Sequence, residues 1–250
     1  MQDKVIVITG ASAGIGAAFA RRAASSGAKV VLVARRESEL NAVRDACGPH
    51  ALAVVADVSR RAEVERVVAD ALERFGAIDV WINNVGQGIS RNPSELTDDD
   101  IDAVMQVNVK SALYGMQSVL PHFKSRGAGH IINISSMLGR TPFAVIRSAY
   151  CGAKHFLNAL TATMRGEIQA THPGIQISLV SPGVVRTDFG LNAMHGGPDS
   201  RSFPGSQSAE EVADVIAYVV DTRKPDVYTR VGAKNSVTDY LNKLTEDPAN

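Results

Sequence analysis

Residues 4–20, KVIVITGASAGIGAAFA, decide the fold. A short β-branched run leads directly into Gly10, Gly14 and Gly16, and a helix-forming segment follows. Glycines at these points allow a tight turn, close approach of backbone N–H groups to a pyrophosphate, and close packing of a helix on a strand. The stretch therefore predicts a strand, a phosphate-binding loop and a helix at the start of an α/β domain.

Six further apolar runs recur along the chain, separated by segments long enough for helices. They are AKVVLVA (28–34), ALAVVAD (51–57), IDVWINN (78–84), GHIINIS (129–135), GIQISLV (174–180) and, more weakly, DVYTR (226–230). Strands of a parallel sheet are apolar throughout because helices cover both faces. The fold class predicted is α/β, with a doubly wound, seven-stranded parallel sheet and helices on both faces.

The length of the chain, 250 residues, fits one domain spanning residues 1–250. Residues 188–207 are rich in Gly, Pro and Ser and are predicted to form a mobile substrate flap, and about 231–250 are expected to form a polar tail. Two helix starts fit the S/T-x-x-D/E capping pattern, Thr97 with Asp100 and Ser208 with Glu211.

Composition excludes several classes of partner. The chain has 26 Lys+Arg and 26 Asp+Glu, so its charge gives no reason to expect binding to nucleic acid or to an anionic membrane. No apolar run is long enough to span a bilayer, and a strand begins almost at the N-terminus, which favours a cytoplasmic location. Six histidines and two cysteines lack the spacing of metal ligands, so no metal site is expected.

The segment SAYCGAK, residues 148–154, places Tyr150 and Lys154 four residues apart and hence on one face of a helix. A nearby cation lowers the pKa of a phenol, which would make Tyr150 a usable acid or base near neutral pH. Taken alone, the pair also fits an amphipathic helix with a half-buried tyrosine and a lysine that extends to solvent.

Other motifs change that balance. NNVG (83–86), Asn108, NISS (133–136) and the Tyr150–Lys154 pair follow the glycine loop in order. With them, nearly the whole chain resembles the short-chain dehydrogenases/reductases. The resemblance implies a single-domain Rossmann fold in which a hydride moves between the nicotinamide C4 and a carbonyl or alcohol carbon.

The resemblance also implies catalytic roles. Tyr150 is the general acid or base, Lys154 lowers its pKa and holds the nicotinamide ribose, and Asn108 holds a water that links the lysine to solvent. Ser136 is expected to hydrogen-bond the substrate oxygen. It stands one residue further from Tyr150 than the family's serine usually does, and Ser135 is the alternative.

Cofactor contacts are implied in the same way. Asp57 is expected near the adenine amino group, Asn83 and Gly86 along the adenine ribose, and Val185 and Thr187 near the nicotinamide carboxamide. A helix N-cap is the alternative role for the threonine. The complete set is Gly10, Ser12, Gly14, Ile15, Gly16, Arg35, Asp57, Val58, Asn83, Gly86, Tyr150, Lys154, Pro182, Gly183, Val185 and Thr187.

Arg35 underlies the expected cofactor preference. NAD-dependent relatives usually carry an acidic residue at the end of the second strand, where this chain has Ala34. Arg35 and Arg36 follow and offer guanidinium groups suited to a 2′-phosphate, unless both are simply solvent-exposed. NADP(H) is therefore the preferred cofactor, with NAD(H) as the alternative.

The expected partner is a small-molecule substrate, a largely apolar carbonyl compound or secondary alcohol, because the residues predicted around the pocket are apolar and no cluster of Arg or Lys faces it. These residues are Met137, Leu138, Phe143, Phe189, Leu191, Met194 and Phe203. A homodimer or homotetramer is expected from the family and from the apolar residues of the segment 150–170.

Two other functions fit parts of the sequence. A catalytically silent nucleotide sensor or scaffold would keep the fold, although the intact Ser, Tyr and Lys argue against it. GASAG (10–14) also matches the G-x-S-x-G nucleophile elbow of hydrolases, with Ser12 as nucleophile and His172 or His195 as base. Neither histidine lies in a convincing motif.

Overall fold

The computed structural model describes residues 1–244. In this range seven parallel strands form one sheet: β1 (Val5–Thr9), β2 (Lys29–Ala34), β3 (Ala51–Val55), β4 (Val80–Asn83), β5 (Gly129–Ile134), β6 (Ile175–Ser181) and β7 (Asp226–Tyr228). The strands lie in the order β3-β2-β1-β4-β5-β6-β7. The predicted doubly wound parallel sheet is confirmed.

Eight α-helices of the described range connect or follow the strands: α1 (Gly14–Ser25), α2 (Glu37–Cys47), α3 (Arg61–Phe75), α4 (Asp98–Met105), α5 (Ser111–Arg126), α6 (Ser148–Thr171), α7 (Ala209–Thr222) and α8 (Ala233–Leu244). Helices α1, α2 and α7 cover one face of the sheet, and α3, α5 and α6 cover the other. A π turn, Gln106–Lys110, joins α4 directly to α5.

Strand β1 shows why the strands read as unbroken apolar runs. All five of its residues are buried. Ile6 and Ile8 lie in the core on one face of the sheet, whereas Val5 and Val7 lie in the core on the other. Successive side chains point to opposite faces, so a strand covered on both sides needs apolar residues at every position.

The sheet order creates a crevice at the carboxyl ends of β1 and β4. From β1 the chain proceeds outward to β2 and β3, then returns to place β4 on the other side of β1. Loops that leave neighbouring strands in opposite directions separate at such a switch point, and ligands of open α/β sheets bind there.

Both predicted capping boxes are confirmed, at the starts of α4 and α7. Part of the expected polar tail forms helix α8. Its apolar residues recur at the spacing i, i+3, i+4, i+7, which is typical of an amphipathic helix: Val237, Tyr240, Leu241 and Leu244. The rest of that segment, residues 245–250, lies outside the described range.

The flap, residues 188–207, contains only the short 3-10 turn Ser200–Ser202 as regular helix. It is anchored at its middle, where Met194 pairs with Ile89, and at its end, where Gln207 pairs with Val185. Its motion stays a prediction. None of the helices in residues 1–244 has the length and hydropathy that crossing a membrane requires.

Candidate active site

The glycine loop needs each of its three glycines. Gly10 and Gly14 have φ angles of +68° and +55°, in the left-handed region. A Cβ on Gly16 would lie 2.3 Å from the Gly10 carbonyl oxygen. Residue Ala13, at the N-cap of α1, provides no side-chain cap, so the first N–H groups of the helix are open to an anionic group.

Asn84 fixes this loop to β4, a contact that the sequence interpretation missed. Its Nδ2 donates to the Thr9 carbonyl oxygen at 3.0 Å, and its backbone N–H donates to Thr9 Oγ1 at 3.0 Å. Asn83, predicted as a cofactor contact, points into the core instead. It accepts from Trp81 Nε1 at 2.7 Å and donates to Asn133 Oδ1 at 2.8 Å. The two adjacent asparagines in NNVG were the sequence signal that could have identified Asn84 as a second candidate.

Tyr150, Lys154 and Ser136 meet where α6 crosses the end of β5. Tyr150 is buried and shares a hydrogen bond with Ser136. Lys154 Nζ lies 5.7 Å from the centre of the Tyr150 ring and donates to the Ile134 carbonyl oxygen at 3.0 Å. The structure thus brings three of the four predicted catalytic side chains into one site.

The pKa of Tyr150 departs from the prediction that Lys154 lowers it. Burial raises the pKa of Tyr150 to about 12, and the hydrogen bond with Ser136 only partly opposes this. Burial also lowers the pKa of Lys154 to about 8. Removal from water therefore dominates both groups in this structure. The lysine ammonium is held by a backbone carbonyl and not by the phenol oxygen.

The two neighbouring serines point to different partners. Ser136 Oγ accepts a hydrogen bond from Leu138 N at 3.1 Å and lies beside Tyr150. Ser135 Oγ donates to Asn158 Oδ1, inside the core. Of the two candidates, Ser136 is the one whose hydroxyl faces the tyrosine.

Asn108 lies in the π turn and is fully buried. Its Nδ2 donates to the Gln87 and Val104 carbonyl oxygens at 2.9 and 3.0 Å, and its Oδ1 accepts from Gln87 N at 3.1 Å. A Cβ on Gly86 would lie 3.1 Å from that oxygen and 3.4 Å from Lys154 Nζ. Both Nδ2 protons of Asn108 are already donated, so its side chain could hold the predicted water only by accepting a hydrogen bond from it at Oδ1.

Arg36, not Arg35, contacts the glycine loop. Arg36 Nη2 donates to Ser12 Oγ at 3.1 Å, and its Nη1 lies 3.1 Å from Glu39 Oε1. Arg35 is exposed and has no ion pair with any residue in the described part of the chain. Both guanidinium groups follow Ala34 at the carboxyl end of β2.

Residues after β3 and β6 complete the predicted cofactor set. Asp57 Oδ1 accepts from the backbone and hydroxyl of Ser59, at 3.0 and 2.7 Å, and Val58 is buried. The Cγ2 of Thr187 lies 3.2 Å from the position of a Cβ on Gly14. Thr187 Oγ1 accepts from the backbone of a turn, not from an α-helix. Pro182, Gly183 and Val185 precede it along the same loop.

The predicted apolar pocket residues divide into two groups. Leu138, Phe189 and Met194 pack with Tyr150, and the Phe189 ring lies 5.4 Å from the tyrosine ring. By contrast Phe143, Leu191 and Phe203 are exposed. Met137 is half-buried.

One cation near the site was missed. Arg147 is half-buried, three residues before Tyr150, and its Nη1 donates to the Ile89 carbonyl oxygen at 3.0 Å. Its position three residues before Tyr150 was the sequence signal that could have identified it as a residue near the site.

The hydrolase alternative lacks support, because neither candidate histidine is hydrogen-bonded to Ser12. Ser12 Oγ accepts a hydrogen bond from Arg36. His195 Nε2 lies 2.7 Å from Asp100 Oδ1, and His172 is paired with Thr171. No group of three or more potential metal ligands occurs in residues 1–244.

Comparisons with known proteins agree with this geometry. The family model described as short chain dehydrogenase matches residues 4–195. The uncharacterized oxidoreductase YxnA of Bacillus subtilis is 33% identical over 94% of this chain and 67% of its own length. A short chain dehydrogenase/reductase from Burkholderia phymatum, solved in complex with NAD, has a TM-score of 0.89 at 27% identity over 100% of this chain and 97% of its own. An alcohol dehydrogenase from Thermococcus sibiricus, solved with 5-hydroxy-NADP, has a TM-score of 0.79 at 28% identity over 91% and 96%.

Proposed function

The chain belongs to the short-chain dehydrogenase/reductase family, and on this premise we propose that it uses NADP(H) to interconvert a largely apolar carbonyl compound and its secondary alcohol. Family membership makes it an oxidoreductase of the carbonyl/alcohol type with a nicotinamide cofactor. A catalytically silent sensor or scaffold therefore loses its support. The observation that carries the proposal is the grouping of Ser136, Tyr150 and Lys154 at the carboxyl end of β5, on the same edge of the parallel sheet as the glycine loop after β1.

The residues of the crevice fit a dinucleotide. Gly16 permits close approach at the uncapped start of α1, and Gly86 leaves space beside Lys154. Lys154 and Thr187 would hold the nicotinamide half, and Asp57 the adenine. When bound, the nicotinamide supplies the hydride in reduction and takes it up in oxidation.

Tyr150 would supply the proton in reduction. Because burial raises the pKa of Tyr150 to about 12, the phenol is protonated at neutral pH, the form that a general acid needs. Ser136 would donate a hydrogen bond to the same substrate oxygen and align it with the phenol. Lys154 is the nearby cation, and Asn108 Oδ1 retains one lone pair through which it could hold a water for proton exchange with solvent.

The preference for NADP(H) rests on Arg35 and Arg36. No acidic side chain occupies the end of β2, where Ala34 stands, so position 34 itself would not repel a 2′-phosphate; the nearby carboxylate of Glu39 is paired with Arg36. Arg36 already lies over Ser12, and Arg35 has no competing carboxylate in the described residues. The structural neighbours include an NAD complex and an NADP-type complex, so similarity does not decide the preference.

The apolar substrate follows from the wall that Leu138, Phe189 and Met194 form around Tyr150. The test is to incubate the purified protein with NADPH or NADH and a panel of hydrophobic ketones, steroids, small sugars and acyl thioesters, and to follow oxidation of the reduced cofactor. We expect faster turnover with NADPH and with hydrophobic ketones. Preferential reduction of small sugars would contradict the substrate class, and no turnover of any carbonyl would contradict the function.

The proposed assembly is a homodimer or homotetramer. Of the apolar residues on α6 that suggested it, Ala153 and Leu157 are buried in this chain's own core. Phe156 is 52% exposed and remains available to a partner subunit.

A further inference from the structure

Arg147 differs from other half-buried arginines of the chain. Arg165 donates to two backbone carbonyl groups, and Arg91 and Arg140 pair with carboxylates. Arg147 donates to one, that of Ile89, although a guanidinium has five N–H groups. No carboxylate of residues 1–244 lies within 4.0 Å of it. A half-buried cation without an anion is unfavourable, so this arrangement indicates that a partner comes from outside the chain.

The surroundings of this guanidinium place a second polar group close to it. Gly88 and Gly197 face it: a Cβ on Gly88 would lie 2.6 Å from Arg147 Nη1, and one on Gly197 would lie 2.8 Å from Nη2. The same position on Gly197 is 2.8 Å from Ser90 Oγ. That hydroxyl is buried and has no hydrogen-bond partner among the described residues. A cation and an unused hydroxyl therefore lie side by side.

This pair belongs to the site already described. Arg147 lies immediately before α6 and precedes Tyr150 by three residues, close enough for its charge to act on the phenol. The Gly88 position also contacts the Phe189 ring, 3.1 Å from its Cε1, and that ring packs on Tyr150. A group bound by Arg147 would thus be only a few carbon atoms from a carbonyl at Tyr150.

We propose that Arg147, with Ser90, binds a carboxylate of the substrate, so that the enzyme acts on keto acids or hydroxy acids with an otherwise apolar chain. The inference rests on the proposed function. A planar guanidinium matches a carboxylate in a two-point hydrogen bond, and a single arginine with a hydroxyl suits one negative charge. The carboxylate is held and not changed: the hydride goes to the carbonyl carbon and the Tyr150 proton to its oxygen.

The test compares an acid with its neutral ester. The probes are 4-oxopentanoate and methyl 4-oxopentanoate, with the corresponding 3-oxobutanoate and 5-oxohexanoate pairs to find the preferred spacing. We expect the wild-type enzyme to prefer the acid in kcat/KM. Arg147→Gln removes the charge but retains a donor for the Ile89 carbonyl, and should raise KM for the acid roughly ten- to a hundredfold while leaving the ester within about threefold. Arg147→Lys should retain part of the preference.

Arg165→Gln is the matched control, because Arg165 is also on α6 and donates to backbone carbonyls, at the end of the helix away from Tyr150. It should leave the acid-to-ester ratio unchanged. An equal loss for acid and ester in Arg147→Gln, or a wild-type preference for the ester, would show that Arg147 only holds the loop of Ile89.

A binding measurement separates this inference from the proposed function. Calorimetric titration of 4-oxopentanoate into protein saturated with NADP⁺ should show binding that Arg147→Gln weakens and Arg165→Gln retains. If wild-type protein reduces neutral ketones but binds no keto acid, the carboxylate site is wrong and the proposed function stands. If it binds the acid through Arg147 but reduces no carbonyl, the site stands and the function is wrong.

Discussion

Replacing Tyr150 with phenylalanine removes the proposed proton donor and little else. The ring stays packed on Phe189, at 5.4 Å between centres, and the hydroxyl loses one hydrogen bond, to Ser136. A positioned general acid contributes about 10²–10⁴-fold to the rate. That factor corresponds to about 2.7–5.5 kcal/mol of transition-state stabilisation. We therefore expect kcat for ketone reduction to fall by this factor or more in Tyr150→Phe.

Cofactor affinity should be nearly unchanged in the same variant, because the phenol acts on the substrate oxygen. The assay combines steady-state reduction with NADPH and fluorescence titration of NADPH binding. Losing one neutral hydrogen bond costs about 0.5–1.5 kcal/mol, so a melting curve should show a folded protein. Tyr114→Phe is the control, since Tyr114 is half-buried on α5, under Arg61 and away from the site. Turnover of Tyr150→Phe within a few-fold of wild type would refute the role of Tyr150.

Arg35→Ala and Arg36→Ala should each raise KM for NADPH roughly ten- to a hundredfold and barely change that for NADH. The preference for NADPH would be contradicted if the wild type used both cofactors equally well, or if the variants raised KM for NADPH and NADH by the same factor. Lys154→Met should lower activity and cofactor affinity together. Burial lowers the pKa of Lys154 to about 8, so between about 8 and 10.4 the unfolded chain holds a proton that the native chain has released. The free energy of unfolding of the wild type should then rise with pH relative to that of Lys154→Met. If the urea midpoints of the two proteins change in parallel between about pH 8 and 10.4, this expectation is wrong. Light scattering should give a dimer or tetramer at micromolar concentration; a monomer would overturn that expectation.

The fold could be predicted because its signals are local. Apolar runs in β1 to β6 identify strands covered on both faces, and two side chains per capping box identify the starts of α4 and α7. Helix α8 was not predicted because the segment is polar in overall composition, although four of its apolar residues recur at helical spacing. Its existence depends on periodicity, which a reading of composition alone overlooks.

The candidate site was predictable in its residue types but not in its orientations. Motif order identified Tyr150 and Lys154, and helical spacing placed them on one face. The direction in which Asn83 points depends on the Trp81 and Asn133 side chains across the core, which no local pattern specifies. The raised pKa of Tyr150 depends likewise on burial by distant segments, which a four-residue spacing does not reveal.

The π turn between α4 and α5 has a consequence for insertions and deletions. Val104, before the turn, packs beside Tyr150, and Met116, after it, packs in the core of the sheet. At 100° per residue, an unbroken α-helix would set these two positions about 120° apart around its axis. One additional residue in the turn removes about 100° of that difference and brings both onto nearly the same side. Deleting one residue from 106–110 would give a more regular helix but would rotate Met116 and the rest of α5 out of phase with the sheet. One surplus residue thus allows α4 and α5 to run as one continuous helix that reaches both the candidate active site and the hydrophobic core.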